Sequence, residues 1–336
     1  MALDEVLPYY HPTRVVFVDD NESFLRSFPL QLPEDLAWLT FTSARECLDH
    51  VNSRPAGSLE DVCLSLHQRS AAGENDLLRM DLTLIEHEIS NPERFSNISV
   101  IVADYDMPEM SGLEFLGSLE DSRIKKILLT GVADEKVAVQ AFNEGLIDRF
   151  FQKNTPDIMK RLNATIVDMQ RAYFRETSRV IQSALAMKSP DFFHDPAFVA
   201  IFEAIAHKHD IVEYYYVEPP RGILMVSDEG DLYRLVIFSE QDLENEIFRL
   251  RRNNAPREVL ERITDGSHLP CLWTALEHAP EIEDLDWTSC LYPARRIRGN
   301  REWRYALIAD PPADIEYDPK EASFVRFLER ADIGHR

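Results

Sequence analysis

Four short segments in the first half of the chain each close on a charged or hydroxyl side chain, and this pattern constrains the fold more than any other feature. Val15-Val16-Phe17-Val18 runs into Asp19-Asp20, Ile98–Ala103 into Asp104, and Lys126–Thr130 ends on a hydroxyl; a weaker run, Asp148–Gln152, precedes Lys153. Such apolar runs suit strands buried on both faces, the condition of a parallel sheet covered by helices. Trp38–Thr42 is a further strand candidate. Helical patterns fall between the strands at Glu22–Phe28, Gly112–Leu119 and Glu135–Glu144, and at Ala44–Val51 with Ser43 as cap and Glu46 at the capping-box position. The alternation predicts a doubly wound α/β domain with a five-stranded parallel sheet, whose sites gather at the carboxyl ends of the strands.

Those strand ends carry a definite chemistry. Asp19 and Asp20, adjacent at the end of a buried strand, have a fixed backbone and two carboxylates able to approach one hard cation such as Mg²⁺. Asp104 offers a nucleophile, and Thr130 and Lys153 point a hydroxyl and an ammonium at the same sheet edge. Taken singly, a surface Asp pair, a core-edge Thr and a solvated Lys are ordinary. Three strand ends around one acidic pair are not.

The segments VVFVDDN (15–21), VADYDMPEMSG (102–112), LLTG (128–131) and FFQKN (150–154) follow one another as they do in the receiver domains of two-component response regulators, including the chemotaxis type, which this part of the chain resembles. The resemblance implies phosphorylation of Asp104 by a sensor histidine kinase, a phosphotransfer protein or a small phosphodonor. It implies Mg²⁺ as cofactor, held by Asp19, Asp20, Asp104 and the backbone carbonyl of Asp106. Thr130 and Lys153 are implied as the catalytic contacts to the phosphoryl group. Thr130 and Phe150 are implied as the switch that couples phosphorylation to the face of the fourth helix and fifth strand. Three residues depart from the family: Gly131 stands where alanine is commoner, Asn154 where proline often follows the lysine, and Asp106 adds a carboxylate near the metal.

Beyond these motifs the expected organisation is an N-terminal extension (1–13), a receiver (14–160) interrupted by a partly helical insertion at about 52–97, a connecting helix (155–190) and an atypical output domain (191–336). The insertion carries a credible helix at Leu77–Ile89. In the connecting segment, Ile158, Leu162, Ile166, Met169 and Tyr173, then Val180, Ile181 and Leu185, form an apolar seam at helical spacing. A helix of that length suggests pairing with its twin in a phosphorylation-dependent homodimer. The last part reads as mixed α/β or α+β. Strands are expected at Ile211–Val217, Gly222–Val226, Tyr233–Phe238, Leu269–Trp273 and Trp303–Ile308, with helices at Gln241–Arg252, Pro256–Thr264 and Lys320–Ala331. Tyr214-Tyr215-Tyr216 alternates across the first of these strands.

Charge narrows the output. Net charge is -23 over 336 residues, and from Asp191 onward 29 acidic residues face 17 basic ones. Generalised attraction to nucleic acid or anionic lipid is disfavoured. The arginines at 249, 251, 252 and 257, and those at 295, 296, 298, 301 and 304, could receive a small anionic ligand or a downstream protein; ion pairing with nearby glutamates is the plainer reading. Direct DNA reading fits less well than either. No GGDEF-like or EAL-like segment marks a nucleotide-cyclising or hydrolysing output, and His209-Asp210 alone does not make a metal-dependent hydrolase. An enzymatic or nucleotide-binding output is the alternative to partner binding. No run of eighteen apolar residues predicts a membrane insertion, no signal peptide is expected, and four separated cysteines suit a reducing cytoplasm. The whole layout also bears a looser likeness to the atypical regulators of the Legionella autoinducer system, which implies a role in quorum or stress signalling.

Overall fold

The computed structural model describes residues 3–54, 64–66, 78–80, 83–131, 135–188, 192–218, 220–271, 287–311, 318 and 320–333. Strand β1 (Tyr9–Tyr10) leads to β2 (Arg14–Val18), α1 (Glu22–Ser27), β3 (Trp38–Phe41) and α2 (Ala44–Asn52); a hairpin of β4 (Leu64–Leu66) and β5 (Leu78–Met80) and the short α3 (Thr83–His87) follow. Next come β6 (Ile98–Asp104), α4 (Gly112–Gly117), β7 (Lys125–Thr130), α5 (Glu135–Asn143), β8 (Arg149–Gln152), α6 (Ile158–Thr177) and α7 (Arg179–Lys188). These and the later elements form two compact units that do not follow chain order. One gathers His11–Val62, Pro92–Arg179 and Phe327–Arg336; the other gathers Met1–Tyr10, Cys63–Asn91 and Val180–Arg326.

The first unit is the doubly wound domain. Strands β3, β2, β6, β7 and β8 pair in that order, all parallel, giving the five-stranded sheet. Alternation along each strand sends side chains to two cores. Val16, Val18, Ile101, Ala103 and Leu128 meet Cys47 of α2, Phe115 of α4 and Ala138 of α5. Val15, Phe17, Val100, Val102 and Leu129 meet Leu25 of α1 and Leu162, Ile166 and Met169 of α6. Each large apolar side chain so buried contributes about 1.5–3 kcal/mol.

The α6 seam is therefore spent inside its own unit. Leu162, Ile166 and Met169 are almost fully buried against the sheet, so this part of the seam is not available to a twin helix. The single helix expected over 155–190 is two helices. The hydroxyl of Ser178 donates to the Phe174 carbonyl at 2.6 Å, and at this residue the backbone leaves helical geometry before α7 begins. The helix expected at Leu77–Ile89 begins only at Thr83 and ends in a 3-10 turn, Glu88–Ser90. Leu78–Met80, which alternates apolar and charged, pairs antiparallel with Leu64–Leu66 instead.

The second unit holds α8 (Pro196–Lys208), β9 (Ile211–Val217), β10 (Gly222–Ser227), β11 (Leu232–Ser239), α9 (Glu240–Arg252), α10 (Arg257–Thr264), β12 (His268–Pro270), β13 (Leu291–Pro293), β14 (Arg295–Arg298) and β15 (Glu302–Ala309). A six-stranded antiparallel sheet runs β1-β9-β10-β11-β15-β14, and β12 pairs with β13, so the unit is α+β. The N-terminal residues expected as an extension supply its edge strand: Tyr9 pairs with Tyr215 and Tyr10 with Tyr214. Helix α3 of the expected insertion packs on β9, with Ile85 and Ile89 buried. The tyrosines alternate as expected. Tyr214 and Tyr216 meet Phe202 and Phe193, while the Tyr215 hydroxyl donates to buried Glu213 at 2.7 Å. On the other face, Val236, Phe238, Ala306 and Ile308 pack against Leu243, Leu250, Val259 and Ile263 of α9 and α10.

A buried carboxylate fastens α8 to this sheet. Asp195 caps the helix by accepting from the Ala197 amide at 3.0 Å, and its second oxygen accepts from the Asn300 amide at 2.8 Å and the Trp303 indole at 3.2 Å. The final helix, α11 (Phe324–Ile333), starts four residues later than expected. Residues 272–273 of an expected strand and the acidic stretch Glu277–Asp286 lie outside the described residues.

Candidate functional site

Three carboxylates meet where β2 and β6 end. Buried Asp19 and Asp104 and exposed Asp20 place one oxygen each within 4.8 Å of one another. Lys153, one residue past β8, sits between two of them, its Nζ 2.8 Å from Asp19 Oδ2 and 2.9 Å from Asp104 Oδ1. The bond to Asp19 was not anticipated, since the resemblance implied Lys153 as a contact to the phosphoryl group on Asp104. Backbone amides hold the carboxylates from below: Asn21 donates to Asp19 at 2.9 Å and Tyr105 to Asp104 at 2.9 Å.

Two acids share one base here, and that sets the electrostatics. Burial raises the Asp104 carboxyl above its ordinary range, against the opposing pull of the Lys153 ammonium. Burial also acts to lower Lys153, but its bonds to Asp104 and Asp19 outweigh this and raise it. Three carboxylates and one ammonium leave a charge of -2, matched to a divalent cation with oxygen preference. These donors fit Mg²⁺. Asp106, on the loop after β6, has an exposed side chain, and its carboxylate is not part of the three-membered cluster.

The loop after Asp104 is held against the strand end by Gly112. Its amide donates to the Tyr105 carbonyl at 2.9 Å, and a Cβ there would lie 2.1 Å from the Asp104 carbonyl oxygen. Only glycine fits. Gly112→Ala is expected to cost about 2–3 kcal/mol through overpacking and to displace Asp104. An unchanged urea midpoint would show that the loop has room to move. A second tie joins the loop to α2: Ser43 Oγ donates to Glu109 at 2.8 Å, and the Arg45 amide donates to the same oxygen. Ser43 also accepts from the Glu46 amide as the expected cap. Glu109 was missed because the tie spans 66 residues.

Thr130 is fully buried at the end of β7, and its hydroxyl donates to the Gly131 carbonyl at 2.9 Å. The adjacent peptide ties the site together, the Lys153 amide donating to the Thr130 carbonyl at 3.0 Å. Phe150 is half-buried and meets Phe142 of α5 edge-on at 6.4 Å. On the same helix Val137, Val139 and Phe142 are each about 40% exposed.

Among the described residues, the arginine and histidine candidates of the second unit do not join the carboxylate cluster. Arg249 pairs with Glu246 at 2.6 Å and Arg257 with Glu261 at 2.7 Å, as local ion pairing predicted; Arg296 lies 3.7 Å from Glu302. His209 ends α8 and packs on the Tyr233 ring at 4.5 Å. Among the described residues no second cluster of metal-ligating side chains occurs, and no helix is long and apolar enough to cross a membrane.

No protein-family model and no curated protein matches the chain. Solved structures do. The Legionella pneumophila response regulator LqsR is 33% identical over 100% of this chain and 99% of its own, with a TM-score of 0.79. An adenylate cyclase structure from Rhodopirellula baltica is 24% identical, covering 53% of this chain and 99% of its own, with a TM-score of 0.34. A CheY-like receiver domain protein from Methanospirillum hungatei is 20% identical, covering 49% of this chain and 98% of its own, with a TM-score of 0.32.

Proposed function

This chain belongs to the response-regulator family of LqsR, and on that premise we propose that Asp104 accepts a phosphoryl group from a sensor histidine kinase, a phosphotransfer protein or a small phosphodonor. The observation that carries the reading is the Lys153 ammonium lodged between Asp19 and Asp104 at adjoining strand ends. An Asp104 oxygen attacks phosphorus in line with the leaving group; the O–P bond forms as the bond to the donor's nitrogen or oxygen breaks. Lys153 then exchanges a carboxylate contact for a phosphoryl oxygen. The Thr130 hydroxyl turns from the Gly131 carbonyl to a second phosphoryl oxygen, and Phe150 follows it inward. Mg²⁺, held by Asp19, Asp20, Asp104 and the Asp106 carbonyl, would neutralise phosphoryl charge in the transition state. Water attack on the acyl phosphate returns Asp104 to its resting form.

For output, the supported surface is α5 with β8. Exposed Phe142 adjoins the Phe150 switch, and Val137 and Val139 are exposed on the same helix, so we place a phosphorylation-dependent homodimer on that helix and strand. A downstream protein or small anionic ligand acting on the second unit, in cytoplasmic signalling of the quorum type, completes the reading.

Acetyl phosphate and intact-mass analysis test the chemistry. One phosphoryl adduct is expected in Mg²⁺ and none in a chelator. Asp20→Ala should raise the Mg²⁺ requirement about tenfold or more, and Lys153→Ala far less, because only the former removes a ligand. No adduct at any Mg²⁺ concentration would end the proposal.

A further inference from the structure

Two of the cysteines stand opposite each other. The β12–β13 register places His268 against Pro293, Leu269 against Tyr292 and Pro270 against Leu291. One step further it reaches Cys271 and Cys290, and the Cys271 amide donates to the Cys290 carbonyl at 2.8 Å. Neither is in a disulfide, and both pack into the apolar cluster beneath α9 and α10. Opposed residues of an antiparallel pair hold their Cβ atoms ~4.5–5.5 Å apart, against ~3.5–4.5 Å in a disulfide. A closing movement on the order of 1 Å bridges that difference. We propose that Cys271 and Cys290 form a thiol pair that closes to a reversible cross-strand disulfide, a redox modification site separate from Asp104.

The two thiols are unequal. Cys271 is fully buried, and burial pushes its thiol far up, away from the thiolate needed for first attack. Cys290 is half-buried and is the point of entry. With oxidised glutathione, a low-molecular-weight disulfide, the Cys290 thiolate attacks one sulfur; a mixed disulfide forms and one glutathione thiolate leaves. The Cys271 sulfur then attacks the Cys290 sulfur, the second glutathione departs, and the Cys271 proton passes to it. Two protein thiols are oxidised and one external disulfide is reduced to two thiols. Because closure draws the two strands together, the bond should be readily reduced, as suits a switch rather than a structural staple.

The full chain, equilibrated in glutathione buffers from reducing to oxidising and acid-quenched, is then alkylated under denaturing conditions and analysed by mass. Two of the four alkylatable thiols should disappear together, with a linked Cys271–Cys290 peptide, and both should return on adding reductant. Cys290→Ser, judged folded by circular dichroism, should show no paired loss. Phenylarsine oxide, a dithiol probe, should bind the reduced parent one to one and not bind this variant. Four alkylations retained at every potential, a mixed disulfide on Cys290 that never resolves, or a link to Cys47 or Cys63 would each overturn the proposal.

Discussion

Asp104→Asn should abolish the phosphoryl adduct and, at the same time, stabilise the metal-free protein at neutral pH. The first effect follows from chemistry, since an amide oxygen at this position is no nucleophile for phosphorus. The second follows from burial, which raises the Asp104 carboxyl above its ordinary value near 3.8. A carboxyl raised on folding binds its proton more tightly in the folded chain than in the unfolded one. Its favourable contribution is therefore complete below the unfolded value and is lost as pH rises through the folded value. At neutral pH the ionised group is a net cost, and asparagine removes it while Lys153 keeps Asp19 at 2.8 Å. Thermal melts in chelator should give the variant the higher midpoint at neutral pH, with the advantage vanishing as pH falls toward the ordinary aspartate range. An equal adduct on the folded variant would identify the wrong carboxylate. A lower midpoint at neutral pH would mean that the Lys153 bond outweighs burial.

The second large effect is expected at Asp195. Asp195 is 1% exposed and accepts three hydrogen bonds, one of them from the Trp303 indole, itself 1% exposed. Asp195→Ala removes every acceptor at once and leaves the donors without protein partners, at about 1–3 kcal/mol each where water cannot reach. A total loss of about 3–5 kcal/mol is expected in the second unit, or roughly 10 °C in its melting temperature. Asp195→Asn should recover only part of this, because its NH₂ would face donors on one side. Trp303 fluorescence during urea unfolding gives the readout; a midpoint within error of the parent would show that the cap and the indole bond contribute little.

The acidic site was legible because a parallel sheet makes it so. Buried strands are apolar along their inner stretch, so the first polar residue after Val18 or Ala103 marks the sheet edge, and parallel strands point such edges the same way. The α6 seam was legible as a buried face, but periodicity does not say what buries it, and Leu162, Ile166 and Met169 proved to face their own sheet rather than a twin. Leu78–Met80 was read as helix because three residues are too few to distinguish the two periods once a true helix follows at Thr83. The pairing of β1 and the meeting of Cys271 with Cys290 left no local trace. Each depends on a partner that only the finished sheet supplies.

The interleaving of the two units has a consequence for synthesis. Tyr9 and Tyr10 leave the ribosome first, yet their partners Tyr215 and Tyr214 are made roughly 200 residues later. At ~5–20 residues per second that is a wait of ~10–40 s. For the later part of it, the sequences of β1, the β4–β5 hairpin and α3 have all emerged without β9, while the strands of the parallel sheet are complete once β8 is out. The parallel sheet can therefore close co-translationally around two segments that do not belong to it, and the second unit is completed only by recapturing them. A chain truncated after α6 would carry both as orphans and lose Phe327–Arg336, so the first unit is better isolated by starting at His11, excising Cys63–Asn91 and rejoining Phe327–Arg336 than by cutting the sequence at a single point.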